Sequence, residues 1–258
     1  NNQLPTSRLI KKSNLINTGD NEVKCSILDG IQNIMPFGVP SSTQNDRSNL
    51  VDAYKRNKLE ADIGLGIYAL SAIIVDRAEP SEALKATTVW SLGLEKAKYL
   101  VSSLQLKDFK KGKKIEQETD VKAEKGAFFV NAELFLGPRD EKKWMLIAEV
   151  NQSRVDVSKI KHAVKRGKDL FKEIESDIET GTEQLLQLAG ASDAMQLTSD
   201  AMRDARHFSN TLFNIMRGGI FDKGYLIEKS DFIPYIENTN RIGNRGEATL
   251  GSPISFEV

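Results

Sequence analysis

LINTGDNEVKCSILDGIQNIMPFGV, residues Leu15 to Val39, is the stretch on which the fold turns. Asn17, Thr18, Gly19 and Asp20 supply turn chemistry between two apolar runs. Val23, Cys25 and Ile27 then alternate with Lys24 and Ser26, the period of a half-buried strand. Asp29-Gly30 is expected to break that strand, and Pro36, Gly38 and Pro40 to end the unit. The stretch therefore predicts strand, tight turn, strand, in an antiparallel β-protein.

Outward from it, Thr6 to Ile16 predicts a first strand, with imperfect alternation that an edge position tolerates. On the other side, Ser41 to Asn49 is polar. Asp46 or Ser48 could cap a short helix through Leu50, Val51, Ala53, Tyr54 and Asn57. Apolar runs predict strands over Gly64 to Val75, Ala83 to Leu94, Ala127 to Leu136 and Trp144 to Asn151. A turn is expected over Asp76 to Pro80, and a hairpin across Gly137 to Asp140. Lys96 to Leu106 reads equally as strand or helix, and Lys107 to Gly126 as a charged loop.

After Asn151 the period changes. Asp156 or Ser158 can cap a helix carrying Ile160, Val164, Phe171, Ile174 and Ile178, with Gly167 inside it and a break at Gly181. A second helical segment covers Thr182 to Leu188 and is closed by Gly190. A third runs from Thr198 to Arg217, with a core stripe of Met202, Ala205, Phe208, Leu212 and Ile215 and a stop at Gly218-Gly219. Beyond Ile220 only apolar anchors stand out: Phe221, Tyr225, Ile227, Phe232, Ile233 and Tyr235. Strands first and helices after predict an α+β protein: a large antiparallel β-sandwich over 1–154, linker helices over 155–219 and an irregular segment over 220–258.

Composition narrows the chemistry. The 36 basic and 36 acidic side chains cancel, so the bulk charge gives no reason to expect nucleic acid or an anionic membrane as partner. The lysine-rich run from Lys107 to Lys114 has Asp108 within it and Glu116 beyond it, and reads as a solvated loop. One cysteine and two histidines make the usual zinc sites improbable, and no cofactor is implied. Cys25 reads as a small buried hydrophobe. No phosphate-cradling glycine loop or nucleophile elbow is present. The start at Asn1, without methionine, reads as a piece of a longer polypeptide.

The densest set of interesting side chains is RDARHFSNTLFNIMR, Arg203 to Arg217. On a helix, Arg206, Asn210, Asn214 and Arg217 share one flank, and Arg203, His207 and Asn210 another. Guanidiniums, amides and an imidazole together can grip a phosphate, a sugar or a neighbouring domain. Such a set also serves simply to tie a helix to its loops. Trp90 and Trp144 could stack on sugars if exposed, but both sit on alternating apolar strand faces, which favours core packing.

The run LINTGDNEVKCSILDGIQNIMPFGV, then ATTVWSLGL, then ARHFSNTLFNIMRGGIFDKGY resembles large bacterial proteins of the cellobiose and chitobiose phosphorylase type. Its most distinctive pieces are Leu28-Asp29-Gly30-Ile31-Gln32-Asn33 and Leu212 to Gly219, and it covers most of residues 6 to 240. The resemblance implies a galactose-mutarotase-like sandwich, then linker helices, then an α/α toroid that carries the active site. Nothing after Gly219 looks like such a toroid. The implied role is thus the non-catalytic sandwich and linker of a carbohydrate-active enzyme, with carbohydrate and the catalytic toroid as partners. No catalytic residue transfers. Arg206, His207, Asn210, Asn214 and Arg217 are the candidate ligand contacts. Two other readings remain open: a stand-alone carbohydrate-binding module presenting Trp90, Trp144, Phe129, Phe135 or Tyr68, and an assembly element whose helices make a homo-oligomer.

Overall fold

The computed structural model describes residues 8–74, 83–167, 169–218, 229–230, 232–234 and 236–237. The turn expected over Asp76 to Pro80 and the anchors Phe221, Tyr225, Ile227 and Tyr235 lie outside them. The chain divides into two units, Asn1–Glu173 and Ile174–Val258.

Among the described residues the first unit holds nine strands: β1 Arg8–Ile16, β2 Val23–Ile34, β3 Lys55–Glu60, β4 Leu65–Leu70, β5 Lys85–Leu92, β6 Lys98–Leu100, β7 Asp120–Lys122, β8 Gly126–Leu136 and β9 Glu141–Ser153. Six form one sheet in the order β1-β9-β5-β4-β3-β7, and three form another in the order β2-β8-β6. Every pairing is antiparallel. Leu59, Tyr68, Val89 and Leu146 of the larger sheet pack with Ile34, Phe128 and Val130 of the smaller one in a single apolar layer. The fold is an α+β protein built on an antiparallel sandwich.

Consecutive strands do not pair where the sequence suggested hairpins. β1 pairs with β9 from Arg8↔Glu149 to Ile16↔Glu141, and β2 pairs with β8 from Val23↔Leu136 onward. Residues 17–22 and 137–140 are therefore neighbouring corners. One two-stranded ribbon, β1–β2 against β8–β9, passes there from one sheet to the other. Asn17 fastens the corners together. Its side-chain amide lies 2.8 Å from the Asn21 carbonyl, 3.1 Å from that of Leu136 and 2.8 Å from that of Gly137. Its backbone N–H donates to the Asp140 carbonyl at 2.9 Å. Nor do Asp29-Gly30 break β2, which runs on to Ile34 with an irregular register at Asn33, where φ is 58°. The smaller residue lets the strand lie close to its neighbour, because a Cβ on Gly30 would collide with the Phe128 carbonyl and the Phe129 ring.

Two short helices, α1 Ser41–Asp46 and α2 Ser48–Tyr54, replace the single one expected. Asn57 belongs to β3, a strand whose charged sequence, KRNKLE, hides its buried alternation of Lys55, Asn57 and Leu59. The ambiguous stretch resolves into β6, and the charged loop contains a one-turn helix α3, Leu106–Lys110, and β7.

Helix α4, Arg154–Arg166, starts at the residue after β9. Ser153 is its N-cap, not Asp156 or Ser158. The Ser153 hydroxyl accepts from the Asp156 N–H, and the Asp156 carboxylate accepts from the Ser153 N–H, which satisfies two free donors at once. Lys161 and Lys165 then pair with Glu60 and Asp62 at the β3–β4 turn, the opposite end of the sheet from Ser153. The helix thus runs back across a face of the larger sheet. The smaller sheet fills the inner face, so α4 lies on the outer one. Gly167, at φ 65°, ends it. Helix α5, Leu170–Ala191, is continuous through Gly181 and Gly190, so the chain breaks one glycine earlier than expected. Helix α6, Ala201–Met216, follows, and the described residues between 229 and 237 are helical, where an irregular segment was expected. Met202, placed in its core stripe by the sequence, is 65% exposed.

Candidate functional site

Helix α6 starts where Asp200 caps it, its carboxylate accepting from the N–H groups of Met202 and Arg203. Asp204 in the first turn accepts from the backbone N–H and hydroxyl of Thr198. These bonds, first the backbone one, hold the Asp204 carboxyl below the usual carboxylate range. The entry to the helix is therefore fixed by short-range acceptors, and the polar cluster along it is held in one orientation.

The five candidate contacts lie along one helix, α6 and its C-cap. The His207 Nε2 lies 2.8 Å from the Asp193 carbonyl, which ties the helix to the turn before it. The Asn214 amide donates to the Asn210 carbonyl at 2.9 Å and lies 3.3 Å from its side-chain oxygen. Arg217 stacks over the Phe213 ring, 5.3 Å from its centroid. Arg206 is exposed. His207 and Asn214 thus use polar atoms within the second unit, while Arg206 and Arg217 keep guanidinium donors toward solvent. What this surface offers is a row of cationic donors beside exposed Phe213 and Met216, suited to an acceptor-rich or anionic partner.

Two further polar clusters escaped the sequence reading. On β2, Asp29 accepts from Ser13 Oγ of β1 at 2.9 Å and from Trp144 Nε1 of β9 at 2.7 Å, and it also pairs with Lys11. The carboxylate joins the smaller sheet to the larger one. Burial pushes its pKa up, but the hydrogen bonds from Lys11, Trp144 and Ser13 together outweigh that and leave it lowered. On the outer face of the larger sheet, Glu149 is fully buried. It accepts from Arg8 Nε at 2.9 Å and from Trp90 Nε1 at 3.2 Å. Here burial wins, and its pKa is raised despite those partners. Neither cluster has a signature in sequence spacing, because each joins residues more than 100 apart. A lone acid inside an alternating strand was the one available signal.

Both tryptophans are buried, so neither presents a stacking face. Phe129 and Tyr68 are buried as well, and the Tyr68 hydroxyl donates to the Ala127 carbonyl at 2.7 Å. Of the aromatic side chains considered for sugar stacking, Phe135 alone is exposed, at 61%, with the Lys24 ammonium 5.1 Å from its ring. Cys25 is half-buried. Among the described residues, no group of three or more His, Cys, Asp and Glu side chains is placed to hold a metal ion, and no helix is long and apolar enough to cross a membrane. Compared with known proteins, the chain matches no family model and no curated protein sequence.

Proposed function

We propose that this chain is the sandwich and helical linker of a carbohydrate-active enzyme of the glycoside phosphorylase or hydrolase type, supporting a catalytic toroid outside it. The observation that supports the reading is the place of Asp29 and Gly30 within Leu28-Asp29-Gly30-Ile31-Gln32-Asn33, one of the two most distinctive pieces of the resemblance. Asp29 is the tie between the two sheets, and Gly30 is where the neighbouring strand packs directly on backbone. A resemblance that includes residues holding the sandwich closed is in that part a resemblance in architecture. The capping box at Ser153 and Asp156 adds to it. The last sandwich strand passes into α4 without a flexible joint, as a rigid linker requires.

The binding-module reading is less well supported, because four of its five platform aromatics are buried. The test is the intact mass of the parent polypeptide in its native source, together with an assay of the purified chain on cellobiose and chitobiose with and without phosphate. The expected results are a mass well above 28.7 kDa and no sugar phosphate or hexose released by the chain alone. A parent of 28.7 kDa, or turnover by the isolated chain, would overturn the proposal.

A further inference from the structure

Helix α6 carries a surface stripe whose cations form no ion pair among the described residues. Met202, Arg206, Asn210, Phe213 and Arg217 recur at spacings of four, four, three and four, which places them on one side of the helix. All five are exposed. Neither Arg206 nor Arg217 forms an ion pair among the described residues, and Arg217 lies over Phe213. A stripe of cations and large apolar side chains is the composition of an interface core and its rim.

Helix α5 carries the opposite charge. Its acids are Glu173, Glu175, Asp177, Glu179 and Glu183, against the single base Lys172. Glu179 and Glu183, one turn apart, are exposed and have no ion-pair partner among the described residues. Leu186 follows on the same side and is 42% exposed. An acidic row ending in a leucine on one helix complements a basic row interrupted by a phenylalanine on the other. Both rows belong to the second unit of the chain.

We propose that this surface is a self-association interface, in which the α6 stripe of one copy receives the acidic face of α5 from a second copy, and the reverse contact closes a two-fold dimer. Two-fold symmetry repeats each complementary pair, so the two charge rows of one chain satisfy the two rows of the other. Electrostatic pairing of this kind sets partner choice and orientation, and it weakens with salt.

The test is sedimentation velocity on the full chain over a range of concentrations, at low salt and at about 0.5 M salt. A dimer that loosens with salt is expected. R206E/R217E and E179R/E183R should each raise the dissociation constant by about tenfold or more, because each exchanges attraction for repulsion at both contacts. Mixing these two variants is the decisive arm. The first has two acidic rows per chain and the second two basic rows, so together they should form a heterodimer that neither forms alone. That rescue also shows that both variants are folded. A chain that stays monomeric at all concentrations, variants that dimerise like the parent, or a mixture that does not associate would each overturn the interface.

Discussion

Trp144 Nε1 donates to the Asp29 carboxylate at 2.7 Å, joining β9 of the six-stranded sheet to β2 of the three-stranded one. With Ser13 on the same oxygen and Lys11 on the other, it closes the side of the sandwich where two edge strands lie over each other. Asp29→Ala would leave the indole N–H unpaired in a buried setting and free the lysine. The expected cost is about 2–3 kcal/mol, the range for losing charge-assisted hydrogen bonds. Urea unfolding should show a lower midpoint with an unchanged slope. The pH dependence follows from the lowered pKa. The folded form holds the ionised carboxylate more firmly than the unfolded chain does. The contribution of Asp29 is therefore present above the ordinary aspartate range and lost as pH falls from about 4 downward. In Asp29→Asn that part of the acid unfolding curve should flatten. An unchanged curve would remove Asp29 from the account.

Gly30 and Gly38 separate crowding from backbone strain. A Cβ at Gly30 meets the Phe128 carbonyl and the Phe129 ring, whereas at Gly38 it meets open space, with φ at 87°. Gly30→Ala is expected to cost about 2–3 kcal/mol through forced displacement of β8. Gly38→Ala should cost about 1 kcal/mol, from the left-handed backbone alone. Thermal unfolding of both variants checks the order, and equal losses would argue against the close strand approach at Gly30.

Asn17 holds the corner where the ribbon turns from one sheet to the other. Its amide serves three carbonyls, and the contacts to Leu136 and Gly137 belong to the opposite corner. Asn17→Asp keeps the size and removes the donor, so three carbonyls, that of Leu136 in a buried setting, lose their partner and face a carboxylate. A loss of about 2–4 kcal/mol is expected. Hydrogen exchange should locate the loosening at 17–22 and 137–140. Protection lost evenly over the sheets would contradict a corner latch.

The same corner shows what the sequence could and could not convey. Alternation along Val23–Ile27, Ala127–Leu136 and Trp144–Asn151 made the strands legible, and the change of period after Asn151 made the helices legible. Alternation does not say which strand is the neighbour. Asn17-Thr18-Gly19-Asp20 and Gly137-Pro138-Arg139-Asp140 look the same whether they reverse a hairpin or carry a ribbon around a corner. β3 was hidden because its buried positions include Lys55, which pairs with Asp52, and Asn57, whose amide donates to the Glu124 carbonyl. The helix break at Gly167 and continuity at Gly181 have a similar cause. Glycine permits both states, and only at Gly167 does the backbone take positive φ. The α6 cluster was legible as a helix flank, but not the division of labour within it between His207, turned to Asp193, and Arg206, turned to solvent.

Arg8 and Glu149 offer a test of what a buried ion pair contributes. Glu149 is fully buried, and the Arg8 side chain is 7% exposed. Removing either side chain breaks a buried ion pair, so Arg8→Met or Glu149→Met alone is expected to cost about 3–5 kcal/mol. The double variant replaces the pair by apolar volume and should recover most of that loss, a large coupling in a double-mutant cycle. Glu149 also adds a pH dependence opposite to that of Asp29. Its pKa is raised in the folded chain, so its burial cost is present when it is ionised and is relieved as pH falls through the folded pKa toward the ordinary glutamate value. Additive single losses would mean that the two side chains act independently.

Fluorescence distinguishes the two carbohydrate readings. Trp90 and Trp144 are buried and donate to Glu149 and Asp29 respectively. Their emission should therefore be blue-shifted, and it should not respond to cellobiose or chitobiose, whatever the rest of the molecule binds. Of the aromatic side chains considered for sugar stacking, Phe135 is the exposed one, and Phe135→Trp puts a reporter there without disturbing the core. If the chain is a support for a catalytic part, the introduced indole should emit as an exposed one and remain unchanged through the sugar titration. A saturable shift of the reporter's emission, absent from the parent chain, would instead establish that the β2–β8 surface around Lys24 binds carbohydrate. The binding-module reading would then replace the one proposed.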